Sequence, residues 1–159
     1  MGWVVSSIAL DDHHIRLTGY NIETSLKNAL TAAAEISEHV VELKLSFSSL
    51  QDNDLTNLSK LNNLEKLWLD HTGISDIALK QVMSLNNLEY LNIVGSNVSA
   101  NGLRPLMQLP KLKMIYVQGI KITVDERFAL EALQSNTKLY FGDSMKSAIT
   151  DTIFAKKAE

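Results

Sequence analysis

The chain has 159 residues, 45% of them hydrophobic and 21% charged, and a net charge of −3 from 15 basic and 18 acidic side chains. That length suits one domain with a sizeable core, the composition is globular rather than disordered, and nothing forms a basic footprint for nucleic acid. There is no cysteine, which excludes disulfides, thiolate metal sites, cysteine nucleophiles and covalent CxxCH haem attachment.

The opening "MGWVVSSIALDDHH" lacks a basic n-region, and its apolar run is too short for a signal peptide. No stretch approaches the roughly 18 apolar residues of a membrane-spanning helix. These features fit either a complete cytosolic protein or a domain cut from a longer chain. Trp3-Val4-Val5 and Ile8-Ala9-Leu10 are expected to pair with residues 15–17 as a hairpin around Asp11–His14. "DDHH" offers two carboxylates and two imidazoles to a metal. Neighbouring residues on a strand point to opposite faces and chelate poorly, so a polar turn is the expectation and no metal or cofactor is assigned. "IRLTG" at 15–19 reads as a strand. "TSLKNALTAAAEI" reads as a helix with Thr24 or Ser25 near its start.

From residue 40 the chain repeats with a period of 24. Val40, Leu64, Leu88 and Leu112 open four copies. Three residues on stand Leu43, Leu67, Leu91 and Ile115, and two further Leu45, Leu69, Ile93 and Val117. Leu50, Ile74, Val98 and Ile122 then follow. The first half of each copy alternates with period two, which makes a short strand with one buried face. The second half changes period: Leu55, Leu58 and Leu61, then Leu79, Val82 and Leu85, then Leu103, Leu106 and Leu109. That spacing suits an α or 3₁₀ segment on the far side of the coil. One copy cannot bury its own apolar side chains, whereas stacked copies share a continuous core.

The ninth position of such a repeat takes Asn, which bonds backbone groups of neighbouring turns. Here it is Ser48, Thr72, Ser96 and Ile120. Hydroxyls can do part of that work; Ile120 cannot, so the ladder is expected to end or distort there. Asp125-Glu126 are expected to open a helix, where negative charge suits the positive end of its dipole. Leu139 and Phe141 lie one period after Ile115 and Val117 and form a fifth repeat strand. The tail "SMKSAITDTIFAKKAE" is expected to fold over the open end or to fray.

The pattern L-x-x-L-x-L-x-x-(N/T/S)-x-L over residues 40–141 resembles bacterial leucine-rich repeat proteins. The resemblance implies an α/β solenoid: a right-handed superhelix with a parallel concave sheet, convex helices and an N-terminal hairpin and helix cap. Residues 1–39 would be the cap, 40–143 the repeats and 144–159 a C-terminal cap or tail. Thr72, Ile74, Ser75, Asp76, Ala78 and Leu79 also match the T-x-I-(S/T)-D-x-(A/G)-L variant. It resembles repeats attached at the C-terminal end of c-type cytochrome domains in membrane-linked proteins. That likeness implies an extracytoplasmic interaction domain with no redox chemistry of its own and no catalytic residues to carry over.

Residues between the buried strand positions point out of the sheet. The central column is Lys44, Trp68, Asn92, Tyr116 and Tyr140; one flank is Glu42, Lys66, Tyr90, Met114 and Lys138; the other is Ser46, Asp70, Val94, Gln118 and Gly142. Four of the six Trp and Tyr side chains thus gather on one face. Aromatics with a polar handle are favoured at contacts; the competing reading is that a cap covers them or that they support cross-strand packing. His71 beside Asp70 resembles a dyad, but no motif places a nucleophile, and Asp76 is expected to cap the following helix. The reading is a non-catalytic protein-interaction module, expected to be monomeric. Trp68, Tyr90, Tyr116 and Tyr140 are its anchors, and Lys44, Lys66, Asp70, Asn92 and Gln118 select a protein partner or a neighbouring domain of a parent chain. Alternatives are a structural accessory domain of a cytochrome-type protein, and peptide or glycan binding. No nucleic acid or membrane insertion is expected. The compartment stays open: extracytoplasmic with such a parent, cytoplasmic without one.

Overall fold

The computed structural model describes residues 2–7, 14–20, 26–133 and 135–142. The chain begins with β1 (Gly2–Ser7), β2 (Ile15–Tyr20) and α1 (Leu26–Glu35). Four units then alternate strand and helix: β3 (Val40–Lys44) with 3₁₀ turns at Asp52–Leu55 and Leu58–Lys60; β4 (Lys66–Trp68) with α2 (Asp76–Val82); β5 (Tyr90–Asn92) with α3 (Ala100–Leu106); β6 (Met114–Tyr116) with α4 (Val124–Glu131). β7 (Lys138–Tyr140) closes the series.

The seven strands form one sheet in chain order. β1 and β2 pair antiparallel, Gly2 opposite Tyr20 and Ser7 opposite Ile15; of the residues expected to face 15–17 only Val5 does so, opposite Leu17, while Trp3 and Val4 face Gly19 and Thr18. Every later pairing is parallel. The register follows the 24-residue period: Leu43 lies beside Leu67, then Leu91, Ile115 and Leu139. A bulge between Ile15 and Arg16 adjusts the hairpin to the first repeat strand.

Side-chain alternation then assigns the faces. Leu43, Leu45, Leu67, Leu69, Leu91, Ile93 and Ile115 have no exposed surface, and Val117 is buried with them. Trp68 and Asn92 stand half-exposed between them. The helical segments contribute Leu55, Leu58, Leu61, Leu79, Val82, Leu85, Leu103 and Leu106 to the same cluster. Leu109, Ile122 and Leu139 are only partly buried against it; the last two lie where the stack runs out of described neighbours.

Two ladders tie the copies together. At the copy boundary, Asn63 donates through Nδ2 to the Glu38 carbonyl at 2.9 Å and Asn87 to the Asn62 carbonyl at 2.8 Å. Lys111 stands next in that column and donates to Asn87 Oδ1 at 2.8 Å. At the helix starts, Asp52 accepts from the Ser75 amide (2.7 Å) and hydroxyl (2.6 Å). Asp76 accepts likewise from Ser99 (2.8 and 2.5 Å). Each Asp thus bonds the cap of the next helix, while Ser75 and Ser99 cap their own helices. Gly102 has to be bare, since a Cβ there would lie 2.2 Å from Asp76 Oδ1. The series stops at Ala100, which has no carboxylate, and Thr123 instead closes a capping box with Glu126.

Two expectations are corrected. Asp76 sits inside the first turn of α2, with Ser75 as the cap residue. The ninth-position hydroxyls do not reach neighbouring turns: Ser48, Thr72 and Ser96 donate to the carbonyls of Leu45, Leu69 and Ile93 three residues back in their own turns. Each of these hydroxyls closes its local turn. At Ile120 only the backbone N–H reaches back, to Val117 at 3.4 Å, and β6 still pairs with β7. The helix start at Thr24 or Ser25, the Ile8-Ala9-Leu10 segment with the rest of residues 8–13, and the tail from residue 143 lie outside the described residues.

Leu91 lies at the centre of the core with leucine or isoleucine beside it on both neighbouring strands. Leu91→Ala is expected to cost about 2–5 kcal/mol through lost burial and a residual cavity, read by urea denaturation. A change below about 0.5 kcal/mol would remove the side chain from the core.

Candidate functional site

The polar face of the sheet carries the candidate residues. Trp68, Asn92, Tyr116 and Tyr140 lie in register on β4 to β7, as the sequence columns require. Tyr90 belongs to the flank, between Lys66 and Met114. Asn92 is small, so the Tyr90 ring fills the space between Trp68 and Tyr116. Centroids follow at 5.1 Å from Trp68 to Tyr90, 5.2 Å to Tyr116 and 5.0 Å to Tyr140, with planes tilted by 43°, 40° and 51°. Four rings therefore form an unbroken row. Tyr90 thus lies between Trp68 and Tyr116. Burial and the neighbouring Tyr116 push the Tyr90 phenol above its ordinary pKa of 10, so it remains a hydrogen-bond donor at neutral pH.

The polar candidates divide into free and committed groups. Lys44 Nζ stands 4.5 Å from the centre of the Trp68 ring, a cation–π contact. Gln118 is exposed and lies against Gly142. Lys66 donates to Glu42 Oε1 at 2.8 Å, and Arg16 pairs with the other oxygen of the same carboxylate. Glu42, placed by the sequence on the exposed flank, is only 3% exposed. Burial alone would raise its pKa, but the bonds from Arg16 and Lys66 outweigh that and hold it below 4.5. Asp70 is 8% exposed and accepts from Ser46 Oγ at 2.6 Å and Asn92 Nδ2 at 3.0 Å. Asn92 Oδ1 accepts from the Val94 amide at 3.2 Å. Asp70 and Asn92 thus brace the sheet surface from below.

No hydrogen bond joins His71 to Asp70. The His71 ring stacks on Phe47 instead, centroids 4.5 Å apart and planes 19° from parallel. Sequence reading passed over this pair. Both residues have positive φ, 54° and 53°, at the position where later copies carry Gly95 and Gly119, also at positive φ. Aligning the copies at 24-residue spacing exposes the signal: two aromatics stand where the backbone favours glycine. Phe47 is 72% exposed.

Among the described residues no group of three or more His, Cys, Asp or Glu could hold a metal ion, and no helix is long and apolar enough to cross a membrane. A groove of about 260 Å³ lies on the helix side, lined by Asp76, Leu79, Lys80, Met83, Asn101, Gly102 and Pro105. Its Asp76 carboxylate is spent on Ser99.

Strands in 24-residue register, each followed by a helical return, define an α/β repeat fold of the leucine-rich kind. Among solved structures it is similar to internalin C2 from Listeria monocytogenes str. 4b F2365, with 22% identity and a TM-score of 0.56 over 80% of this chain and 60% of that one. The chain therefore spans less than two thirds of that neighbour, and at this identity the likeness establishes the fold. No family model and no curated protein matches the chain.

Two outcomes follow from this geometry. Glu42 has a lowered folded pKa, so its ion pairs stabilise the fold above about pH 4.5 and that contribution is lost as pH falls through the folded value. Thermal melts between pH 7 and 3 should show an acid limb that is shallower in Glu42→Gln. An unchanged limb would mean that the carboxylate is solvated. At Phe47, the left-handed backbone costs a side chain about 1–2 kcal/mol and the ring stack returns about 0.5–1.5 kcal/mol. Phe47→Gly is therefore expected to shift stability by less than about 1 kcal/mol in urea denaturation; a loss of several would place the ring in the core.

Proposed function

We propose that this chain is a non-catalytic protein-interaction module, a solenoid whose sheet lies on the concave side and binds a partner through its aromatic row. The observation that carries the reading is the continuous row of Trp68, Tyr90, Tyr116 and Tyr140, half-exposed or exposed on the polar face. Large aromatics can supply most of the energy of a contact. Phe47 on His71 supports it further: a strained, exposed ring stabilises the fold little, and strain of this kind gathers at functional sites. Lys44 and Gln118 are the polar groups free to select the partner, while Lys66, Asp70 and Asn92 position the surface.

A second reading, contacts made in cis to a cytochrome-type parent, is supported by the T-x-I-S-D-x-A-L match at Thr72–Leu79. The same assay separates the two.

A Trp68→Ala, Tyr116→Ala double variant is the test, in a pull-down from host extract beside a thermal melt. Loss of a captured partner with the melt little changed is the expected outcome. An early melt with every partner retained would make the row a packing feature. A partner encoded in the same reading frame as this chain would favour the cis reading.

A further inference from the structure

A partner on this face meets a sheet whose inner strands already spend their backbone groups on each other, so it cannot add as another strand there. Side chains must do the recognition, and the row sets its spacing. Successive rings are 5.1, 5.2 and 5.0 Å apart, tilted by 40° to 51°. Tilted rings make a corrugated surface with a notch between each pair, whereas coplanar rings would make a flat shelf. Two ring steps come to about 10 Å, close to the roughly 9 Å turn of a polyproline II helix, and the whole row matches about five of its residues. A polyproline II backbone has no internal hydrogen bonds, so its carbonyls can accept from tyrosine hydroxyls. Its conformation is set in advance, which lowers the entropy lost on docking.

The ends of the row add charge. Lys44 stands on β3 over Trp68, and Lys138 lies on β7 two residues before Tyr140. Among the described residues neither forms an ion pair, whereas Lys66 and Lys113 each hold a glutamate. A neutral glycan would leave both lysines unused.

Building on the interaction reading above, we propose that the occupant is a proline-rich protein segment in the polyproline II conformation, flanked by acidic residues that meet Lys44 and Lys138.

The probe is a fluorescein-labelled hexaproline peptide with two aspartates at each end, followed by anisotropy against the purified chain. One control carries lysine flanks, another replaces the prolines with Gly-Ser, and cellohexaose serves as a neutral glycan in calorimetry. Saturable binding of the acidic proline peptide is expected, weakened at least about tenfold by Tyr116→Ala and by the lysine flanks. The Lys44→Glu, Lys138→Glu variant touches no core residue and is expected to reverse the flank preference, so the idea stays testable if Tyr116→Ala melts early. No binding up to about 1 mM, equal binding of the Gly-Ser peptide, preference for cellohexaose or an unchanged flank preference would each overturn it. If the peptide fails while the double variant still loses its captured partner, the ligand class falls and the interaction reading stands; if both fail, both fall.

Discussion

The structure depends on a single constraint: a strand residue can face only one side of the sheet, and the next residue must face the other. Repeating that choice every 24 residues lays Leu43, Leu67, Leu91, Ile115 and Leu139 side by side. No copy could bury its own leucines, so each exists by virtue of its neighbours. The same constraint fixes where function can lie. Whatever stands between the leucines is lifted to the opposite face, and repetition turns single residues into columns.

Columns also show what holds the copies in line. Hydrophobic contact is indifferent to small slips, and hydrogen bonds are not. The Asn63 and Asn87 amides and the Asp52 and Asp76 carboxylates each reach across one copy to a backbone group or cap of the next or the previous one. Each such bond contributes about 1 kcal/mol net, so their larger effect is on register. The Arg16–Glu42–Lys66 cluster does the same work on the sheet face and joins the hairpin strand to the first two repeat strands.

Much of the fold was legible in the sequence because it rests on apolar spacing alone. The strands, their order of stacking, the 3₁₀ or α return segments and the hairpin all follow from where Leu, Ile and Val stand. The site was legible only as columns. That Trp68, Tyr116 and Tyr140 share a line follows from register; that the Tyr90 ring leaves its own column to fill the gap over Asn92 follows from side-chain volume. Glu42 and Asp70 looked like free surface groups because alternation assigns a face and says nothing of burial by neighbouring side chains. The hydroxyls of Ser48, Thr72 and Ser96 were expected to help join neighbouring turns, but each is spent on the carbonyl three residues back in its own turn. Phe47 went unremarked because its meaning lies in φ, and only the glycines at 95 and 119 hint at it.

The change of partner at Ala100 has a mechanical meaning. Asp52 and Asp76 rivet the starts of successive return segments together, but α4 caps itself through Thr123 and Glu126 and sends no such rivet back to α3. Between these two copies Ser135 donates to the Met107 carbonyl, and at the following junction Thr137 donates to the Leu112 carbonyl, both at 2.8 Å. The side-chain bond that joins the copies of α3 and α4 thus lies past the helix ends rather than at their starts. In a stack where each interface contributes its own term, a change of cap alters only the junction at which it stands.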